Sequence, residues 1–107
     1  MNREDRIAHN EALFREVNER VVQVTDPGGG ERVDFLCECG DPDCTATIAL
    51  TRRQYEELRS DATFFAVVYG HVAPTVEDVV FIGDGFQIVR KHPDQRDIAR
   101  QTDPRSR

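Results

Sequence analysis

The segment Cys37-Glu38-Cys39-Gly40-Asp41-Pro42-Asp43-Cys44 holds all three cysteines of this 107-residue chain within eight positions. In an extended chain, side chains two residues apart point to the same face, so Cys37 and Cys39 can present their sulfur atoms to one ion while Glu38 points away. Gly40 and the Asp-Pro-Asp sequence favour a turn that brings Cys44 back towards them. The C-x-C-x4-C spacing therefore predicts a metal-binding turn of the zinc-knuckle type.

A tetrahedral zinc site with three cysteines needs one further ligand. Of the three histidines, His9 lies in a predicted helix and His92 begins a basic C-terminal segment. His71 follows Gly70 directly after a predicted strand, and such a turn can hold an imidazole beside cysteines on a neighbouring strand. We therefore expect His71 to be the fourth ligand, with a carboxylate or water as the alternative.

Three acidic residues, Glu38, Asp41 and Asp43, lie within the cysteine segment. Without a cation their charges would raise the thiol pKa values, which disfavours a reactive cysteine nucleophile. With a divalent cation the same charges become favourable. An iron–sulfur cluster is the main alternative to zinc, although the spacing does not match ferredoxin runs. Free thiols, or one disulfide with a cysteine left over, are the alternatives without metal.

The sequence on both sides of the cysteines predicts an α+β fold with a small, largely antiparallel sheet. We expect an N-terminal amphipathic helix over 3–24, a glycine-rich linker over 26–30, and strands over 33–37 and 45–50. A short second helix begins at Thr51, where Gln54 completes a capping box, and Tyr55 and Leu58 form its inward face. Further strands are expected over 63–69, 79–82 and 86–89, the last two joined by Gly83-Asp84-Gly85, with a weak helix over 93–101.

The chain should form one domain, divided into an N-terminal helix (1–26), a zinc-binding core (31–92) and a basic C-terminal tail (93–107). Packing of the first helix on the sheet is expected to use an apolar stripe at heptad spacing. The members of this stripe are Ile7, Asn10, Leu13, Phe14, Val17, Val21 and Val24. The same stripe could instead pair two helices across a dimer.

The charge of the chain is uneven along its length. Its net charge is −6, but residues 1–89 carry −9 and residues 90–107 carry +3. The acidic balance makes nucleic acid and anionic membranes unfavoured partners, and we expect the basic tail to be solvated. The N-terminal residues are charged, no secretory signal is visible, and the longest apolar run is too short to span a bilayer. We therefore expect a cytoplasmic protein with reduced cysteines.

The chain resembles a family of small bacterial proteins, common in actinobacteria, that have no known activity. The resemblance extends over nearly the whole chain and implies that Cys37, Cys39, Cys44 and His71 are metal ligands. It rests on the run Asn10-Glu11-Ala12-Leu13-Phe14-Arg15-Glu16-Val17-Asn18-Glu19, on Phe35-Leu36-Cys37-Glu38-Cys39, and on Cys44, Ile48, Leu50-Thr51, Tyr55-Glu56, Gly70-His71, Ile88-Val89-Arg90-Lys91 and Asp103-Pro104-Arg105.

These observations favour a small zinc-binding protein whose site is mainly structural, serving as a protein-interaction or regulatory module with an unknown protein partner. One alternative is an enzyme in which zinc has an open fourth position and Glu38 or Asp41 acts as base. Another is a thiol-based redox or metal sensor. The sequence favours a monomer or a helix-mediated dimer, and it leans against an enzyme because no acid–base pair or cofactor loop is evident.

Overall fold

A 22-residue helix, α1 (Arg3–Val24), opens the fold and confirms the predicted N-terminal helix. It begins at Asn2, whose side-chain oxygen accepts a hydrogen bond from the backbone N–H of Asp5 at 2.7 Å. The structure, a computed structural model, describes residues 2–25 and 30–106. Most of the predicted linker, residues 26–29, lies outside the described residues, as does the predicted domain boundary at residue 26.

Two antiparallel sheets follow α1, so the fold is α+β as predicted, although the sheet is divided. The first sheet pairs β1 (Arg32–Leu36) with β2 (Thr47–Thr51) on either side of the cysteine segment. The second has the order β3-β5-β4 and consists of β3 (Phe64–Val68), β4 (Glu77–Ile82) and β5 (Phe86–Lys91). Between residues 2–25 and 30–106, no helix combines the length and the apolar composition that crossing a bilayer requires.

The short helix α2 (Arg52–Arg59) connects the two sheets and confirms the predicted capping box. The Thr51 hydroxyl accepts from the backbone N–H of Gln54 at 3.1 Å, and the Gln54 side chain accepts from the N–H of Thr51 at 2.8 Å. Its predicted inward residues, Tyr55 and Leu58, are fully buried, and Tyr55 stacks on Phe35 of β1. A polar cap and two large side chains thus fix α2 against the first sheet.

The predicted apolar stripe of α1 is wrong as a packing face. Leu13, Val17 and Val24 are 61%, 40% and 85% exposed, and the other stripe residues are only partly buried. The buried face lies beside the stripe and is largely polar, comprising Ala8, Glu11, Ala12, Arg15, Asn18, Glu19 and Val22. The prediction failed because a heptad pattern identifies a packing face by its apolar residues. It does not detect charged side chains that are buried against partners elsewhere in the fold.

Each polar residue on this face contacts a different part of the fold. Glu11 pairs with the buried Lys91 of β5, which also pairs with Glu77 of β4 at 3.1 Å. Arg15 donates to the carbonyl oxygens of Ala62 and Ala99 at 2.7 and 2.8 Å. About one turn further along the helix, Asn18 bridges the backbone of Leu36, and Glu19 accepts from the Tyr55 hydroxyl at 2.7 Å. Buried polar groups with partners therefore hold α1 in place.

The C-terminal segment is not the solvated tail that the sequence suggested. A turn of 3-10 helix, Pro93–Gln95, leads into the predicted last helix, α3 (Arg96–Gln101), whose Ala99 is buried. Arg105 then forms ion pairs with Glu19 of α1 and Glu56 of α2. The basic charges of this segment are thus partly used inside the fold, where they neutralise acidic residues of the helices.

We predict that Glu11→Gln changes how stability depends on pH. Burial and the neighbouring Glu77 carboxyl raise the pKa of Glu11 well above its ordinary range, although Lys91 opposes the rise. A raised folded-state pKa adds stability that is fully present below the unfolded pKa of about 4.3 and is lost as the pH rises towards the folded value. Glutamine carries no charge, so the variant should gain stability relative to wild type as the pH rises above 4.3, approximately.

Urea unfolding of both proteins across this pH range measures the effect. The matched control is Glu31→Gln, because Glu31 is exposed and its neutralisation should leave the pH profile close to wild type. A difference between Glu11→Gln and wild type that stays constant with pH would show that the raised pKa does not contribute to stability.

Candidate metal centre

Cys37, Cys39, Cys44 and His71 come together at one end of the first sheet. One ligand atom from each residue can be chosen so that all four lie within 4.8 Å of one another. His71 Nδ1 lies 3.7 Å from Cys37 Sγ and 3.6 Å from Cys44 Sγ. Ideal zinc–sulfur and zinc–nitrogen bonds in a tetrahedron place such atoms about 3.6 Å apart. The four side chains are therefore arranged compatibly with one metal ion.

The local backbone explains how the cysteine segment turns. The N–H of Cys37 donates to the carbonyl oxygen of Ala46 at 2.9 Å, which extends the pairing of β1 and β2 by one residue. The N–H of Cys44 donates to the carbonyl oxygen of Asp41 at 3.1 Å, which closes the turn. Gly40 is required by packing, because a Cβ there would lie 2.5 Å from the side chain of Ile7 on α1. The knuckle thus rests directly on the first helix.

His71 is positioned by the turn after β3. Its backbone N–H donates to the carbonyl of Val68 at 2.9 Å, and Gly70 within this turn has a φ of +88°. Only glycine adopts that conformation at little cost. The N–H of Gly70 also donates to the Gln87 side chain of β5 at 3.1 Å. The Gly-His pair seen in the sequence therefore reflects a left-handed turn that presents the imidazole to the cysteines.

The site is buried on one side and open on the other. Cys37 and Cys39 are 1% and 3% exposed, whereas Cys44 is half-buried and His71 is exposed. Burial raises the pKa values of Cys37 and Cys39, and the backbone N–H groups of Val68 and Asp41 oppose the rise only in part. Thiols with raised pKa values are poor nucleophiles, which argues against a reactive cysteine.

Glu38 does point away from the cysteines, as expected, but its role differs from the one expected. Its side chain is fully buried and accepts two hydrogen bonds from Arg59 of α2, at 2.9 and 2.6 Å. It also accepts from the Asn18 side chain and from the backbone N–H of Ala66. The expectation that Glu38 raises the thiol pKa values is wrong, because burial is the main cause and Arg59 pairs with the Glu38 charge.

The alternating positions 37, 38 and 39 thus serve two purposes. The cysteines face the candidate metal centre, while Glu38 fastens the same backbone to α1, α2 and β3. Sequence reasoning did not identify Asn18 and Arg59 as supports of the site. Their distance along the chain gives no signal, since Asn18 precedes Glu38 by 20 residues and Arg59 follows it by 21.

A cleft of about 580 Å³ opens beside the site. Cys39, Asp41 and His71 contribute to its wall, and the opposite wall comes from the first turns of α1, with Arg3 and Arg6. Of the two carboxylates that the sequence suggested as a catalytic base, Asp41 lines this cleft, whereas Glu38 is buried on the other side of the strand. The remaining histidines lie elsewhere: His9 is exposed on α1, and His92 contacts Asp78 at 3.1 Å.

Comparisons with protein-family models, with curated proteins and with solved structures find no match for this chain. Its likeness to the small bacterial family therefore stays a prediction from the sequence.

We predict that Gly70→Ala weakens metal binding without touching any ligand. An alanine at a φ near +88° costs roughly 1 to 2 kcal/mol, and the turn relaxes by moving His71 away from the sulfur atoms. Competitive titration with a chelator measures the affinity. Gly85→Ala is the matched control, since Gly85 has a φ of +81° in the hairpin between β4 and β5. Equal losses of metal affinity in the two variants would contradict the prediction.

We predict that Glu38→Gln destabilises the fold strongly. The change leaves the buried Arg59 guanidinium without its counter-charge, and breaking a buried ion pair typically costs about 3 to 5 kcal/mol. Denaturant unfolding measures the loss. Glu57→Gln removes a partner from the exposed Arg53–Glu57 pair and should change stability little. A fully stable Glu38→Gln variant would show that the Glu38–Arg59 pair does not support the site.

Proposed function

We propose that Cys37, Cys39, Cys44 and His71 bind one zinc ion in a closed tetrahedral site whose role is mainly structural. The observation that carries the proposal is the grouping of all four ligand atoms within 4.8 Å, with imidazole–sulfur distances of 3.6 and 3.7 Å. A site with four protein ligands offers no position for substrate, which is the arrangement of structural rather than catalytic zinc.

The compactness of the cluster supports a single ion over an iron–sulfur cluster. Two thiolate sulfur atoms that bind different irons of a cluster are further apart than two ligand atoms on the same metal ion. The four ligand atoms here lie close enough to fit around one ion. Three thiolates and one imidazole are also a ligand set that zinc favours. The iron–sulfur alternative therefore has less support than it had from the spacing alone.

A structural role fits the position of the site between the two sheets. The cysteines belong to the turn between β1 and β2, and His71 belongs to the loop between β3 and β4. One ion would join these segments across 27 to 34 residues of chain. In a chain of this size, metal-binding free energy is an appreciable part of the folding free energy.

The biological role that we propose is a protein-interaction or regulatory module in the cytoplasm, where the thiols stay reduced. The net charge of −9 over residues 1–89 supports a protein partner over a nucleic acid. The cleft beside Cys39 and His71 favours a second candidate, an enzyme in which water replaces His71 on the metal and Asp41 acts as base. The enzyme requires that His71 not be a ligand, so the two candidates are separable.

Native mass spectrometry with metal analysis, on wild type and His71→Ala, tests the proposal. We expect one zinc per wild-type chain and a variant that loses the metal or binds it at least about a hundredfold more weakly. His92→Ala is the matched control, because His92 contacts Asp78 instead of the cysteines and should keep full zinc.

A His71→Ala variant that holds zinc as tightly as wild type would overturn the closed site and favour the enzyme. A wild-type protein that binds iron and sulfide, or binds no metal, would overturn the zinc assignment itself. Cys39→Ser provides a second test, since it should lose both the metal and much of the thermal stability.

A further inference from the structure

Strand β4 exposes four consecutive apolar residues at the edge of the second sheet. Val79, Val80, Phe81 and Ile82 are 40%, 48%, 52% and 60% exposed. In the sheet order β3-β5-β4, one side of β4 pairs with β5, and no strand of the described residues pairs with its other side. Exposed apolar edge strands are normally avoided in soluble proteins because they pair with other chains.

A bulge at Val80 divides these residues between the two faces of the sheet in an unusual way. Val79 lies opposite Val89 and Ile82 lies opposite Gln87, so both belong to the face of the sheet that carries Val89 and Gln87. Phe81 lies opposite Ile88 on the other face, and Val80 lines an apolar groove of about 350 Å³ together with it. Val80 and Phe81 therefore share one face, although neighbours in a regular strand alternate.

We propose that β4 pairs antiparallel with β4 of a second copy of this chain, forming a continuous six-stranded sheet about a two-fold axis. In this register Val80 lies opposite Phe81 of the partner subunit, and Val79 lies opposite Ile82 of the partner subunit. In this register each of the four apolar residues of one copy lies opposite an apolar residue of the other copy. Each copy uses the same surface, as a two-fold interface requires.

The bulge is what makes this register self-complementary. Residues that face each other across an antiparallel pair must lie on the same face of the sheet, and a two-fold axis through the sheet preserves the faces. A regular strand could not place residues 80 and 81 opposite each other, because they would point to opposite faces. Here Val80 and Phe81, which line the groove, lie opposite Phe81 and Val80 of the partner subunit. Val79 and Ile82, on the other face, lie opposite Ile82 and Val79 of the partner subunit.

The faces of the strand, more than the charges next to the apolar run, distinguish this register from its neighbour. Asp78 lies opposite Gly83 of the partner subunit, and Glu77, which lies opposite Asp84 of the partner subunit, is buried and already paired with Lys91. Sliding the partner by one residue, so that Phe81 faces itself, would place Asp78 opposite Asp84 of the partner subunit. That slide would also put the groove-side Val80 opposite Ile82, which lies on the other face. The mismatch of faces is what disfavours the shifted pairing.

The opposite edge of the sheet explains why pairing should stop at two copies. On β3, the carbonyl of Ala66 accepts from the N–H of Glu38, and the N–H of Ala66 donates to the Glu38 carboxylate. The N–H of Val68 donates to Cys37 Sγ at 3.1 Å. The cysteine segment thus covers this edge, and a dimer through β4 leaves no open edge strand in the second sheet, as the described residues show it, for growth into fibres.

Sedimentation equilibrium of the metal-loaded chain, from about 1 µM to 1 mM, tests the proposal. We expect wild type to dimerise in this range and Ile82→Lys to weaken the dimer at least about tenfold, because an ammonium group then lies in an apolar contact. The matched control is Leu13→Lys: Leu13 is 61% exposed on α1, close to the 60% of Ile82, and the variant should dimerise like wild type. Circular dichroism and metal content verify that both variants fold.

A double variant tests the register. Val79→Lys alone should weaken the dimer, and Val79→Lys with Ile82→Glu should restore it, because the two opposite charges then face each other across the interface. A wild type that stays monomeric at 1 mM, approximately, would overturn the proposal. Dimerisation lost in Leu13→Lys but kept in Ile82→Lys would assign the dimer to α1 and overturn it equally.

Discussion

The buried polar face of α1 is the feature on which the rest of the fold depends. Its side chains bind β5 through Lys91, the backbone of β1 through Asn18, and the carbonyl of Ala99 through Arg15. A buried charge that loses its partner costs about 3 to 5 kcal/mol, and a buried amide costs about 1 to 3 kcal/mol. The sheets and the C-terminal helix must therefore all be in place before α1 is stable, and each fixes the position of the others through it.

This dependence reaches the candidate metal centre. Asn18 donates to Glu38, and Glu38 accepts from Arg59, so the strand that carries Cys37 and Cys39 is fastened to both α1 and α2. Gly40 brings the knuckle into contact with Ile7 near the other end of α1. The core and the first helix thus contribute to the positions of the cysteines. A metal ion would stabilise the same arrangement of strand and helices that the polar network supports.

The sequence allowed the ligand cluster and most elements to be predicted, because those signals are local. Cysteine spacing, the capping box at Thr51 and the Gly-Asp-Gly hairpin each depend on neighbouring residues only. The packing face of α1 could not be found, since Leu13 and Val24 score as core residues while Arg15 and Glu11 score as surface. Their burial depends on Lys91 and Ala99, which lie about 80 residues further along the chain. The ion pairs of Arg105 with Glu19 and Glu56 could not be predicted for the same reason, because these residues are far apart in the sequence.

The polar contacts of α1 also bear on how the chain folds while it is synthesised. Arg15 binds a carbonyl 84 residues downstream, and Glu19 binds a guanidinium 86 residues downstream. At a translation rate of about 5 to 20 residues per second, the helix spends several seconds with these charges in water before their partners leave the ribosome. Water solvates them well during that time, whereas an apolar face would attract other chains. A polar packing face thus keeps the buried side of the first-made helix solvated until the last-made residues are available to bind it.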